Sequence, residues 1–282
     1  MASQFGLHID PPLAGIPAAL GEHGLTHFQT TLRDPMRLAK LGIPDEADQH
    51  AYHTAAAGGL WGIVHASLIT NLASPDPKLR NGSAGALVAD ANLAQALGLA
   101  GVCFHVGYQK GHADRDAALN AVAYKLNSVV SQLHAGARVL LENGAEGTEL
   151  GQTVDEIGRV VRATGADCSR LGVVLDTCHL HVSGFDMAAP EAPDRLADEI
   201  EAAGLTPFLT ALHLNDAREP CGSRRDRHAI PGQGTIGAGL RRLLAHPLFA
   251  PLPCVLELNV PAALEGIAYM LADDQPLREL TQ

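Results

Sequence analysis

No run of apolar residues in this chain approaches the roughly 18 that a membrane span requires, and the N-terminal MASQFGLHID has neither the basic stretch nor the apolar stretch of a secretion signal. A cytoplasmic protein with no membrane partner is the expectation. Cysteine is scarce: Cys103, Cys168, Cys178, Cys221 and Cys254 are odd in number and include no C-x-x-C pair. They read as reduced thiols, which excludes a disulfide framework and a zinc ribbon. Positive charge is also short, with 20 Lys and Arg against 31 Asp and Glu and a formal net charge of −11. That balance argues against a broadly basic nucleic-acid face, although a local patch or bound cations reverse the sign where they sit. Internal repeats, low-complexity tracts and long linkers are missing too.

What remains is an ordinary globular composition, 46% hydrophobic and 18% charged over 282 residues. An α/β barrel of about 250 residues is routinely one domain, so a single domain over 1–282 is expected, with a core large enough to need no covalent staples. The surplus residue is histidine. Its 14 copies outnumber the six Phe, four Tyr and one Trp, and several close apolar runs.

Short β-rich runs alternate with stretches of helical apolar spacing, the signature of repeated βα units and a parallel sheet. The candidate strands are FGLHI (5–9), LTHFQT (25–30), LWGIVHA (60–66), LAGVCFH (99–105), ARVLLEN (137–143), LGVVLDT (171–177), LTALHLN (209–215) and PCVLELN (253–259). VVLD and CVLEL are almost continuously apolar, as strands buried on both faces should be. Between the strands, Leu119, Val122, Leu126, Val129, Val130 and Leu133 predict a helix over 115–135 closed by Gly136. Leu87, Val88, Ala91, Ala94 and Leu97 predict another over 81–98, and Thr153-x-x-Glu156 reads as a capping box for a helix ending near Gly165. Eight strands with seven readable crossovers predict a (β/α)₈ barrel of the α/β class.

Chemistry in such a barrel gathers at the C-terminal ends of the strands. The polar residues where the apolar runs stop are His8, Gln29, His65, His105, Glu142, Asp176, His213 and Glu257, and all but Gln29 can ligate a metal or move a proton. One strand-end His is usually a hydrogen-bonded structural residue. Many on one rim are harder to dismiss, because their carboxylates must be balanced by cations or hydrogen bonds. Two loop motifs add donors. Asp176-x-x-His179 sets a carboxylate and an imidazole about one turn apart, and Asp226-x-His228 puts both side chains on one side of an extended segment. Either could instead be a turn-forming Asp beside a solvated His. Nitrogen and oxygen donors of this kind favour zinc, with manganese or iron as alternatives, and their number exceeds one tetrahedral site. A polynuclear centre suited to phosphoester hydrolysis follows.

The blocks VHASLITNLASP, FHVG, LEN, LDTCHLHVSGFD, LHLNDA, GSRRDRHAIPGQGTIG and VLELN together resemble the endonuclease IV family of apurinic/apyrimidinic endonucleases, trinuclear-zinc enzymes on a (β/α)₈ barrel. The resemblance covers most of the chain and is strongest over about 60–260. It implies three zinc ions per chain. His65, His105 and Glu142 would hold the first; Glu142 would bridge to the second, completed by Asp176, His213 and Glu257; His179, Asp226 and His228 would hold the third. It further implies a monomeric enzyme acting on DNA with abasic or damaged sites, in which a metal-bridging hydroxide leaves a 3′-hydroxyl and a 5′-deoxyribose phosphate and Glu142 partners the nucleophile. Departures are visible. Where the family inserts an Arg and a Tyr into the duplex, this chain aligns Met36, next to Arg37, and Leu68. Ala66 replaces the Asp that usually follows the first zinc His, and VGYQKG after His105 lacks the family's proline and second His.

The alternative is a metal-dependent sugar isomerase or epimerase of the xylose-isomerase-like barrels, which would need only Glu142, Asp176, His213 and Glu257 around one ion. A lesion-binding protein without catalysis is a third class, disfavoured by a full ligand set whose carboxylates repel one another. Gly232, Gly234 and Gly237 of GQGTIG follow DRHAIP instead of a strand, so a phosphate-approaching or turn-forming loop is expected in place of a dinucleotide fold. Arg224, Arg225 and Arg227 read equally as backbone contacts or a solvated loop. His8 is expected behind the ligands, Trp61 in the core, and His23, His27, His50, His53, His112, His134, His181 and His246 at the surface.

Overall fold

The computed structural model describes residues 4–10, 12–38, 44–56 and 59–272. Its strands are β1 (Phe5–His8), β2 (His27–Thr31), β3 (Trp61–His65), β4 (Val102–His105), β5 (Val139–Glu142), β6 (Leu171–Asp176), β7 (Leu209–His213), β8 (Asp216–Ala217), β9 (His228–Ala229) and β10 (Cys254–Leu256). Eight of them run parallel and close on themselves in the order β1, β10, β7, β6, β5, β4, β3, β2. The other two, β8 and β9, make a small antiparallel ladder between β7 and β10. The expected barrel is therefore the fold, and each barrel strand lies at its expected run. β2 ends one residue later than LTHFQT, and β4 begins at Val102 because Gly101 still belongs to the entering turn.

The helices run α1 (Ile16–Gly21), α2 (Glu46–Ala55), α3 (Pro77–Ala96), α4 (Arg115–Val130), α5 (Val154–Thr164), α6 (Thr177–Ser183), α7 (Ala192–Ala202), α8 (Gly239–Ala245) and α9 (Val260–Leu271). Apolar periodicity locates the bodies of these helices better than their ends. α3 starts earlier than 81, at Pro77, because Asp76 caps it and proline is preformed for the first helical turn. α4 stops at Val130, short of 135, with Asp114 as its N-cap. The capping box is half formed: Thr153 accepts from the Glu156 N–H, while the Glu156 carboxylate accepts from Gly151 and Gln152 and pairs with Arg115.

Inside the barrel, Ile63, Cys103, Leu140, Val174 and Ala211 form a buried layer, with Trp61 and Ala100 packed beneath it. Trp61 is thus half-buried at the floor, tilted against His27 with ring centroids 5.4 Å apart. Side chains alternate along a strand with a period of two, so the next inward layer above consists of His65, His105, Glu142, Asp176 and His213. Cross-strand register places them side by side: His105 opposes Glu142, and Asp176 opposes His213. The apolar plug therefore serves as the base on which the polar layer rests.

One ion pair is buried in the wall. Arg33, at the start of the loop leaving β2, donates through Nε to Asp90 on α3 at 2.7 Å, and both side chains are almost wholly enclosed. It anchors the segment that carries Met36. Removing one member leaves an uncompensated buried charge, so Asp90→Ala is expected to cost about 3–5 kcal/mol in denaturant unfolding. A loss below about 1 kcal/mol would show that the pair is solvated.

Candidate metal centre

At the C-terminal mouth of the barrel a cavity of about 640 Å³ is lined by His8, Thr31, His65, Leu68, His105, His179, Asp226, His228 and Glu257. Glu142, Asp176 and His213 lie directly beneath, fully buried. Strand ends supply six of the expected residues. His179 comes from the first turn of α6, where its backbone N–H donates to the Asp176 carboxylate that caps the helix. Asp226 and His228 come from the loop that ends in β9. All nine sequence-selected side chains converge on one site.

Glu142 is the hub. Its Oε2 lies 3.3 Å from His65 Nε2 and 3.6 Å from His105 Nε2, and its Oε1 lies 2.8 Å from His213 Nδ1. His213 Nδ1 is also 3.4 Å from Glu257 and 4.0 Å from Asp176. On the far side, Asp226 reaches His179 Nε2 at 3.3 Å and His228 Nε2 at 3.1 Å, while Asp176 Oδ2 stands 3.6 Å from His228 Nε2. His65, His105 and Glu142 form one compact donor group and His179, Asp226 and His228 another, each with its donor atoms within 4.8 Å of one another.

The outward-facing nitrogens explain why these rings are aimed as they are. His65 Nδ1–H donates to the Ala66 carbonyl at 2.8 Å, and His179 Nδ1–H donates to the Asn143 carbonyl at 2.9 Å. His105 Nδ1 binds Glu149 at 2.8 Å. His213 uses its other nitrogen: the amide of Gln29 donates to Glu257 at 2.6 Å and to His8 at 3.1 Å, leaving its oxygen to accept from His213 Nε2–H at 2.8 Å. In every case one nitrogen is committed outside and the other faces carboxylate oxygens. Two lone pairs at such distances repel unless a proton or a metal cation lies between them. His228 Nε2 is buried without a hydrogen-bond partner despite its carboxylate neighbours. Imidazole and carboxylate donors, orphaned inward and tied outward, fit zinc-class ions and have the outer-partner pattern of metal-binding histidines.

Charge follows the same geometry. Burial opposes a charged imidazole, but carboxylates outweigh it. Glu142 and Glu149 raise His105 to about 9, Glu257 and Glu142 raise His213 to about 9, and Asp176 and Asp226 raise His228 to about 9. Burial also opposes the carboxylates, and at Asp176 it prevails and raises the pKa. At Glu257 the histidines overcome it, His213 foremost, and hold the carboxyl at about 2. Without metal, the site thus holds protons that the unfolded chain, with His near 6.5, gives up. The resulting stability is complete below about pH 6.5 and lost as pH rises through about 9, while the Glu257 share is present above about pH 4.3 and lost as pH falls through about 2. Chelated protein should therefore lose melting temperature between about pH 7 and 9.5, and metal-loaded protein should not. Parallel melting curves across that interval would contradict the arrangement.

Several supporting residues are not marked by the sequence pattern. Asn215 donates to Asp176 at 2.6 Å and to Glu257 at 3.3 Å, and Asn143 accepts from the Asp176 N–H at 2.7 Å. Both sit one or two residues past a strand-end donor, in LEN and HLN, and that position is the signal that could have found them. Glu149 lies in a loop with no such cue. The glycine loop takes the second of its two expected forms, with its N–H groups satisfied inside the chain. Gly232, Gly234, Ile236 and Gly237 all donate to the Asp216 carboxylate at 2.9–3.3 Å, so the turn-forming alternative holds. A correction concerns His181, expected at the surface and found buried. His23, His50, His53 and His134 are exposed, whereas His27, His112 and His246 are half-buried. His8 touches Gln29 and, unlike the position expected for it, lines the cavity beside the donor cluster. Arg224, Arg225 and Arg227 are exposed.

Residues 17–273 match the family described as a xylose isomerase-like TIM barrel. The protein called "Probable endonuclease 4" from Chlorobium limicola is 35% identical over 217 residues, covering 76% of this chain and 74% of its own. This chain belongs to the endonuclease IV family. Endonuclease IV from Thermus thermophilus superposes with a TM-score of 0.80 at 27% identity, covering 95% of this chain and 97% of that one. A D-tagatose 3-epimerase-like protein superposes with a TM-score of 0.73 at 17% identity, covering 95% of each chain, and shares the fold alone. Membership in the endonuclease IV family thus agrees with the resemblance carried by the sequence blocks, and no helix among the described residues is long and apolar enough to cross a membrane.

Proposed function

We propose that this protein is a zinc-dependent phosphodiesterase that cleaves the DNA backbone 5′ to abasic sites. The observation that carries the reading is the convergence of five imidazoles and four carboxylates with inward nitrogens left unpaired except by carboxylates. His65, His105 and Glu142 would hold one ion, Glu142, Asp176, His213 and Glu257 a second, and His179, Asp226 and His228 a third. Bound ions of this class activate water and stabilise the leaving oxygen of a phosphoester. The chain's own part is to fix the donors, through Gln29, Asn143, Asn215 and Glu149, and to keep Glu142 ionised next to the attacking water. Burial disfavours that charge, but the adjacent His213 and His105 hold its pKa well below the usual carboxylate range.

Substrate handling falls to the rim. Met36 and Leu68 are 62% and 48% exposed, and the Leu68 N–H and Ser67 hydroxyl both donate to the Pro35 carbonyl, which joins the two rim segments. Apolar side chains of this kind can wedge between base steps, so an abasic gap would be entered without the Arg and Tyr of the family pattern. The net charge of −11 leaves bound cations to offset repulsion of the phosphates. Metal-quantified protein incubated with an abasic-site duplex, an undamaged duplex and a single strand, with and without chelator, should give chelator-sensitive cleavage of the abasic duplex only, leaving 3′-hydroxyl ends. Met36→Ala with Leu68→Ala should lower that selectivity by about tenfold, the scale of losing about 1–2 kcal/mol of unstacking contact. Ketose epimerisation with no cleavage would favour the isomerase alternative, and tight duplex binding with no cleavage would favour a lesion-binding protein.

A further inference from the structure

We propose that His181, Asp186 and Cys221 form a separate metal site of the zinc class, outside the cavity, which clips the end of α6 to the loop that delivers Asp226 and His228. A ring nitrogen of His181, a carboxylate oxygen of Asp186 and Cys221 Sγ all lie within 4.8 Å of one another. Nδ1 is the nitrogen that faces Asp186, at 3.7 Å.

Hydrogen bonding settles which His181 nitrogen carries the proton. Thr235 Oγ1 has a single proton, and its acceptors are the carbonyls of Ala217 at 3.0 Å and Glu219 at 2.8 Å. In its 3.2 Å contact with His181 Nε2 the hydroxyl must therefore accept, which places the proton on Nε2. The Met187 N–H points at Nδ1 from 3.3 Å, which requires a lone pair there. That contact is longer than the usual range of about 2.7–3.2 Å, and it is the bond a cation would replace. The imidazole is thus buried, neutral and oriented by an outer partner, as metal-binding histidines are, and the Nδ1 pair that accepts from the Met187 N–H also faces the Asp186 carboxylate.

Asp186 and Cys221 are exposed, so an ion reaches them from solvent without entering the cavity. One thiolate, one imidazole and one carboxylate select zinc over magnesium or calcium, and water completes the four positions. Binding moves the Cys221 thiol proton to solvent, because the thiolate is the ligand. The two arms are already aligned: the Gly222 N–H donates to the His181 carbonyl at 3.0 Å, and the Arg224 N–H donates to the Val182 carbonyl at 2.9 Å. From there the loop runs to Asp226 and His228, while α6 carries His179, so an ion at this point closes the base of the third donor group.

The test uses the full chain and zinc alone, with iodoacetamide labelling read peptide by peptide. Cys168, also exposed, is the internal reference. With the cavity already loaded, further zinc should slow Cys221 alkylation by at least about tenfold, since the bound thiolate is no longer free to attack, and leave Cys168 unchanged. Cys221→Ser should bind one zinc fewer per chain, and Thr235→Val should raise the zinc concentration needed for protection by about 10–100-fold. Equal Cys221 alkylation with and without zinc overturns the proposal, as does unchanged zinc content in Cys221→Ser. The site stands apart from the proposed activity: His228→Ala, which disables the cavity, should keep Cys221 protected, and loss of protection there would mean that the thiol reports on the cavity.

Discussion

Glu142→Gln is expected to lower cleavage of an abasic duplex by about 10³-fold or more while leaving the barrel folded. The side chain is fully buried and touches His65, His105 and His213 directly. Loss of even an outer partner of a metal ligand typically costs about 10–100-fold, and here the hub itself loses its charge. Gln keeps the volume, so the apolar layer below should not collapse, and circular dichroism should be unchanged. The neutral amide also removes the anionic oxygen that a cation between these nitrogens needs, so zinc content should fall with activity. Steady-state turnover, metal analysis and a melting curve on one preparation check all three. Normal turnover by the variant would refute the assigned role.

Removal of metal should produce the second large effect. In the Cys221→Ser background, which isolates the cavity, exhaustive chelation is expected to abolish cleavage and lower the melting temperature by on the order of 10 °C. A ligand at about a thousand times its dissociation constant contributes about 4 kcal/mol, and a chain of this size shifts by a few degrees per kcal/mol. Zinc should restore both, with close to three equivalents per chain. One exchangeable equivalent would fit the four-residue set of an isomerase instead. An unshifted melting curve would mean that protons alone satisfy the inward nitrogens.

The strand ends are readable in the sequence because two periodicities coincide there. Along β3 and β5 the inward positions pass from Ile63 to His65 and from Leu140 to Glu142, so the switch from apolar to polar marks the rim in one dimension. The candidate donors on the loop, Asp226 and His228, follow a period of two only because that segment runs extended into β9. What escapes are contacts made by folding distant segments together. Nothing local to Glu149 announces that it will hold His105, and Asp216 does not advertise that it will fill a turn sixteen or more residues later. His181 is misplaced for a related reason: LHVSG looks like an exposed helix end, and only the arrival of Thr235 and the 220–224 segment buries it.

The carboxylate of Asp216, wrapped by the amides of its own glycine turn, makes one end of the 218–231 excursion self-sufficient. The ladder between Asp216–Ala217 and His228–Ala229 ties the return strand to the same point. Exchanges of the exposed Arg224 and Arg225 side chains would therefore leave the placement of His228 untouched, provided the backbone that ties 222–224 to α6 and carries Asp226 keeps its length. Those two side chains are thus the positions at which an engineer could graft new contacts while the backbone beneath stays as it is.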